Sequence, residues 1–306
     1  MAKYLLRRLF ISTLTILVLI TAVWILVRLL PGDPFTSDKL SPEIKENIMR
    51  YYGFDKPLIT QYITYLKNLL RGDLGYSLNY KNLTVTRILK DSFPYSADLG
   101  VRALLFAVLT GLFLGIVAAL NRSRFLDYFC IIIAIIGCSV PDFIIGSLLQ
   151  YVFGVKLKLL PVAQWQGFKY TILPSVALGF YTLAYVSRVM RASMLEVVNQ
   201  DYIKTANSKG LSQIQVIFGH QIRNAILPVI TVLGPIIAAI LTGTFVIESI
   251  YTIPGMGKYY VSGVQTLDYT LILGSTIFYG VLLVIANTVV DIAYGIIDPR
   301  IRVYKK

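Results

Sequence analysis

The chain predicts an all-α, polytopic membrane protein with six transmembrane helices and a helical external segment between the first two. Three observations predict it. Hydrophobic residues make up 56% of the 306 and charged residues only 15%, against roughly 25% charged in a soluble domain. Mean hydropathy is +0.68. The missing charge is concentrated in apolar runs of about 20 residues, the length that crosses a hydrocarbon core.

The first run is Leu9 to Leu30. Lys3, Arg7 and Arg8 precede it as they would a signal peptide. It is longer than an h-region and lacks a small-x-small cleavage site before Pro31, so it reads as a retained span. The second run is Asp98 to Leu120, and the third is Tyr128 to Phe153, interrupted by Pro141. Ile172 to Val189, Ala225 to Ile247 and Tyr269 to Ala293 complete the set. Gly111 and Gly115 place a GxxxG pair in the second span, which permits close helix approach. Packing within one subunit is the plainer reading, with dimerisation the alternative.

Net charge is +13, but its placement is that of a topology signal rather than of a nucleic-acid face. Lys3, Arg7, Arg8, Arg122, Arg124, Arg188, Arg191, Lys204, Lys209, Arg223, Arg300, Arg302, Lys305 and Lys306 share one side with Asp127, Glu196, Asp201 and Asp298. The opposite short loops hold Lys156, Lys158, Lys169 and Lys258. Positive-inside puts both termini in the cytoplasm. The chain then divides into residues 1–30 (N-terminus and first span), 31–97 (external helical segment), 98–293 (five-helix core with a cytoplasmic loop at 190–224) and 294–306 (cytoplasmic tail).

In the external segment, Ser41 with Glu43 and Ile44 opens a helix at its N-cap. Tyr62, Leu66, Leu69 and Leu70 form an apolar stripe at helical spacing. Cys130 and Cys138, about 12 Å apart along a helix axis, are too distant for a disulfide and read as small hydrophobes. His220 has neither an acidic cluster nor a triad partner nearby, so it reads as structural.

The loop at 190–224 holds the strongest signal. Asp201 caps a short helix with Tyr202, Ile203 and Ala206 along one side, and Gly210 stops it as a C′ residue. Ser212 and Gln215 make a capping-box signature for a second helix. The product is helix, sharp turn, helix, with an apolar stripe that needs something to bury it.

Asp201-Tyr-Ile-Lys-Thr-Ala206-Asn-Ser-Lys-Gly210-Leu211, followed by His220-Gln-Ile-Arg-Asn-Ala-Ile-Leu227-Pro228-Val-Ile230, resembles the cytoplasmic signature of ATP-binding cassette (ABC) importer permeases of the oligopeptide/dipeptide class. Lys204, Thr205 and Ala206 occupy the E-A-A places of the general pattern, so only its second Ala is kept. The Leu227-Pro228 pair falls later than in that pattern. Both departures are those of the peptide branch.

The resemblance covers nearly the whole chain. It includes Arg7-Arg-Leu-Phe10 with Leu26-Val-Arg-Leu-Leu-Pro31-Gly-Asp-Pro-Phe35, Tyr52-Gly-Phe-Asp-Lys-Pro-Leu58 and Leu70-Arg-Gly-Asp-Leu-Gly75-Tyr-Ser77. It continues through Ser139-Val-Pro141, Glu248-Ser-Ile-Tyr-Thr-Ile-Pro254-Gly-Met-Gly257 and Asp291-Ile-Ala-Tyr-Gly-Ile-Ile-Asp298-Pro-Arg300. The match is closest to the first of two permeases in an oligopeptide system.

The resemblance implies that Asp201, Tyr202, Ile203, Thr205, Ala206, Gly210 and Leu211 couple this chain to a cytoplasmic ATPase. Its implied partners are a second related permease, two ABC ATPase subunits, an external peptide-binding protein and the lipid bilayer, with no nucleic acid. No cofactor is expected on this chain; ATP and Mg²⁺ belong to the partner subunits. Gly255-Met-Gly-Lys258 fails as a phosphate loop because it lacks the first Gly and a following Ser or Thr; Pro254-Gly255 reads instead as a turn capping the outer end of the fifth span.

Asp142, Glu248 and Arg102 are candidate gate or pathway residues, since ionisable groups near a membrane default to a functional reading. For Arg28, Asp98, Arg102 and Glu248 the plainer account is snorkelling to the interface. An intramembrane enzyme is excluded for want of paired Asp, a Ser/His couple or HExxH. A permease for nickel or another small solute is the alternative, followed by a secondary transporter, in which helix breaks accompany midplane charges.

Overall fold

The computed structural model describes residues 2–29, 56–80, 83–241 and 245–297. The expected N-cap at Ser41, the motif from Tyr52 to Asp55 and the tail from Asp298 lie outside the described residues. The fold is all-α. Five helices are long and apolar enough to cross a membrane, or up to six if one bent pair counts as a span. The chain divides into two compact units, Met1–Ser96 with Pro254–Thr288, and Ala97–Ile253 with Val289–Lys306.

In the first unit, α1 (Ala2–Leu29) and α2 (Leu58–Leu70) pack with the start of α12 (Tyr269–Ile297). Ile20, Trp24 and Val27 of α1 bury against Tyr65, Ile272, Leu273 and Ile277, with Tyr62, Leu66 and Leu69 around them. The α2 stripe, expected as Tyr62, Leu66, Leu69 and Leu70, is instead Tyr62, Tyr65, Leu66 and Leu69. Leu70 does not join it and is 88% exposed, because it falls on the last turn beyond the contact. Arg28 lies 3.6 Å over the Trp24 ring and donates to Gln61 Oε1.

A second apolar cluster joins Val85, Ile88 and Leu89 to Met256 and Leu271. Those first three residues open α3 (Val85–Leu120). The expected start at Asp98 is thus too late: α3 begins thirteen residues earlier, at Val85, and runs through Pro94. Pro94 removes only the amide that would bond the carbonyl of Lys90. Asp268, fully buried, accepts hydrogen bonds from the Ser77 hydroxyl and the amides of Asn79 and Leu271, which pins the 76–80 turn to the start of α12. Glycine-led α11 (Met256–Gln265) was not foreseen. Gly255 is its N-cap, so Pro254-Gly255 begins a further helix rather than ending the fifth span.

The second unit is organised on α6 (Phe168–Val198), which extends the expected fourth span at both ends. Its contacts rely on small residues. A Cβ on Gly115 of α3 would meet the Ser187 carbonyl oxygen at 2.6 Å and Met190 Cβ at 2.7 Å; one on Gly111 would meet Leu183 O at 2.8 Å. Gly179 of α6 stands equally close to the Ala103 carbonyl oxygen, and Gly137 of α4 (Phe125–Ser139) to Ala184. The Gly111/Gly115 pair thus packs internally.

The expected third span is two helices. α4 ends at Ser139, and α5 (Asp142–Leu149) departs at 112° before continuing as a π-helical segment to Lys156. Pro141 supplies no amide to continue α4 and serves as the N-cap residue of α5. The fifth span also differs. Helix begins at Gln213 and runs to Leu241 as α8 (Gln213–Val216), a π-helical segment (Ile217–Ile222) and α9 (Arg223–Leu241). A separate α10 (Phe245–Ile250) follows.

Gly115→Leu is expected to lower the thermal midpoint of the purified chain in detergent, at a cost of about 1–3 kcal/mol from overpacking. Gly219→Ala, where nothing lies within 4 Å of an added Cβ, is expected to leave it unchanged.

Candidate functional site

The short helix of the 190–224 loop is α7 (Asp201–Ser208). Gln200 rather than Asp201 is its N-cap, and no side chain bonds the free amides there. Asp201 is instead the first helical residue, where negative charge suits the helix N-terminus, and its carboxylate meets Lys204 Nζ at 2.9 Å. Gly210 follows the C-cap with φ +76°, a left-handed conformation, and its amide bonds the Asn207 carbonyl at 3.0 Å. Glycine is what that turn requires.

Ser212 then closes a complete capping box. The Gln215 amide donates to Ser212 Oγ at 3.4 Å, and the Ser212 amide donates to Gln215 Oε1 at 3.0 Å. The helix-turn-helix expected from the spacing is present.

The expected burial is not. Ile203 and Ala206 are 2% and 4% exposed within this chain alone. They seat in a cluster with Met190, Met194, Val197, Val216, Ala225 and Val229, contributed by α6, α8 and α9. That stripe therefore needs no partner. The outward surface is another set: Tyr202, Thr205, Gly210 and Leu211, joined by Ile214 and Phe218 of the following helix. Ile214 and Phe218 are 71% and 68% exposed and lie at i, i+4, on one helix face. Their spacing was readable, but a stripe running into a long apolar helix passes for membrane-facing surface.

Among the candidate gate residues, Asp142 is half-buried in the first turn of α5, directly after the bend, and accepts from the Phe143 amide at 2.9 Å. Arg102 pairs with Asp98 at 2.8 Å within one helix and lies 5.9 Å from the Phe168 ring. Glu248 is 1% exposed in α10, so snorkelling does not describe it. Its neighbours Ile247 and Tyr251 pack against Gly146 of α5, and Tyr251 donates to the Gly146 carbonyl oxygen at 2.8 Å.

Sequence reasoning also missed the Asp127–Arg191 pair, counting both only as charges on one side of the membrane. Asp127 is 2% exposed, and Arg191 grips both its oxygens, at 2.6 and 2.8 Å. An acid in the first turn of a helix gives no sign that a basic residue sixty-four positions on will cover it.

With this geometry in hand, comparison with known proteins is consistent throughout. Residues 111–303 match the family described as binding-protein-dependent transport system inner membrane component, and residues 1–100 match the N-terminal region of such membrane components. The chain is 46% identical over 307 aligned residues to the dipeptide transport system permease protein DppB of Bacillus subtilis (strain 168), covering 100% of both chains. It is 42% identical to the oligopeptide transport system permease protein OppB of Salmonella typhimurium, covering 99% of this chain and 100% of that one. A crystal structure of an amino acid ABC transporter with histidines superposes with a TM-score of 0.55 at 16% identity, covering 68% of this chain and 94% of that chain. At that identity it shows a shared fold.

Burial separates two roles inside the one loop. Ile203→Ala is expected to destabilise the purified chain by about 2–4 kcal/mol, read as a lower thermal midpoint. Tyr202→Ala, on the exposed face, is expected to leave that midpoint unchanged.

Proposed function

Because the chain belongs to the family of binding-protein-dependent transport system inner membrane components, we propose that it is the permease subunit of an ATP-binding cassette importer that moves dipeptides or oligopeptides inward by alternating access. The names of its relatives DppB and OppB support peptides as the substrate class. Both termini lie in the cytoplasm on this reading, which the distribution of Lys and Arg supports. A second related permease completes the pathway, an external binding protein delivers the peptide, and two ATPase subunits hold ATP and Mg²⁺.

One observation carries the mechanism: a short helix whose inner face is fixed in the chain's own core and whose outer face is free to be gripped. Asp201, Tyr202, Thr205, Gly210 and Leu211 present that outer face, extended by Ile214 and Phe218. Ile203 and Ala206 couple by rooting α7 among side chains of α6, α8 and α9. A close-packed interior transmits displacement instead of absorbing it. When closure of the ATPase subunits moves α7, the helices on either side of it move too, and access switches from one side of the membrane to the other. Asp142 at the bend, with Glu248 and Arg102 in the same unit, are the residues assigned to the gate or pathway.

The test is uptake of labelled peptide into vesicles holding this chain, the second permease, both ATPases and the binding protein, with wild type compared to Gly210→Pro. Proline fixes φ near −65° and has no amide, so it denies both the +76° turn and the bond to Asn207. The expected result is a normally assembled complex that hydrolyses ATP without uptake. Full uptake by the variant would remove the loop from the mechanism.

A further inference from the structure

We propose that the Asp127–Arg191 pair is a positioning device that makes the bent helix pair α4–α5 follow the movement of α7. The inference rests on the coupling role given above to residues 201–211.

Its placement is the argument. Asp127 sits in the first turn of α4, and Arg191 lies near the end of α6, ten residues before Asp201 opens α7. Arg191 Nε donates to Asp127 Oδ1 at 2.6 Å and Nη2 to Oδ2 at 2.8 Å. A planar guanidinium gripping both oxygens fixes orientation as well as distance. The Ser123 amide adds a third bond to Oδ2 at 2.9 Å. Ser123 itself stands at φ +61°, a left-handed turn uncommon for a residue with a Cβ.

At the other end of α4, Gly137 lies against Ala184 and Phe180 of α6. The two helices thus run antiparallel and are tied at both ends, by a polar clamp and by a close backbone approach. Beyond Gly137, α4 stops at Ser139, and the chain turns by 112° into α5 with Asp142 in its first turn. Displacement of α7 enters α6 at Val198. The clamp passes it to α4, and α4 passes it to the bend.

Three other ion pairs do not serve this end. Arg87–Asp91, Arg102–Asp98 and Lys204–Asp201 each join residues within one helix and are at least a third exposed. Arg191–Asp127 joins two helices, and its carboxylate is 2% exposed. Removing Arg191 leaves the buried Asp127 carboxylate without its counter-charge.

A merely structural pair would affect how much complex assembles, whereas a positioning pair affects what each assembled complex does with ATP. The experiment reconstitutes the whole importer in proteoliposomes and measures ATP hydrolysis and uptake of labelled dialanine and trialanine, both per assembled complex. The variants are Asp127→Asn, Arg191→Lys and the exchange of Asp127→Arg with Arg191→Asp. Arg191→Lys keeps the charge and loses the two-pronged grip, so it reports even where Asp127→Asn assembles poorly.

The expected result is that peptide moved per ATP falls at least about fivefold in both single variants, the lower end of a typical coupling energy, and recovers in part in the exchanged pair. Unchanged peptide per ATP in the assembled fraction, however small that fraction, would overturn the proposal. Gly210→Pro is measured alongside. If it uncouples transport while the ion-pair variants do not, the clamp alone is wrong; if it too leaves peptide per ATP unchanged, the coupling role of residues 201–211 fails first.

Discussion

Close approach to α6 is the constraint on which the second unit depends. Lipid is as apolar as a leucine side chain, so apolar surface alone gives helices little reason to associate within a bilayer. What holds them is contact at short range. Gly111 and Gly115 of α3, Gly137 of α4 and Gly179 of α6 itself each bring backbone or Cβ atoms to where one extra methyl group would collide at 2.6–2.8 Å. A helix gripped in this way on several faces moves as a body. Its long extension past Val189 carries that rigidity to Val198, two residues short of α7.

The proposed coupling is built on that extension. Met190, Met194 and Val197 of α6 form one wall of the cluster that seats Ile203 and Ala206. Val216, Ala225 and Val229 form another, so the helices before and after α7 are joined through it. Between them, Gly210 and the Ser212–Gln215 box fix the turn. The loop is thus part of the folded core, with an outer surface of Tyr202, Leu211, Ile214 and Phe218 left exposed. An apolar remainder of this kind, backed by a rigid seat, suits a surface that must both be recognised and transmit force.

Much of this was legible in the residues, and the parts that were not share a cause. The spans, the Gly210 turn and the capping box are local: each depends on residues within a turn or two, which a single sequence displays. The face that α7 buries is not local. Tyr202, Ile203 and Ala206 are equally good candidates on an eight-residue helix, and only the tertiary position of α6 and α9 separates them. The Asp127–Arg191 pair is hidden for the same reason, since its two members are remote in sequence. Pro141 announced an interruption, but a proline break does not state its angle, and 112° converts one expected span into two helices. The start of α3 and both ends of α6 were drawn too far inward, because hydropathy marks only the apolar part of these helices while they continue into polar sequence.

The central claim is that α7 offers its exposed face, and not its apolar stripe, to the ATPase. Cysteine cross-linking in the assembled importer tests it most directly, with Cys130 and Cys138 replaced by alanine and single cysteines placed at 202, 205, 211, 203 and 206. The account predicts cross-links to the ATPase from 202, 205 and 211, with yields that change on ATP addition, and none from 203 or 206. Cross-links confined to 203 and 206, or absent from every position in an importer that still transports peptide, would contradict it.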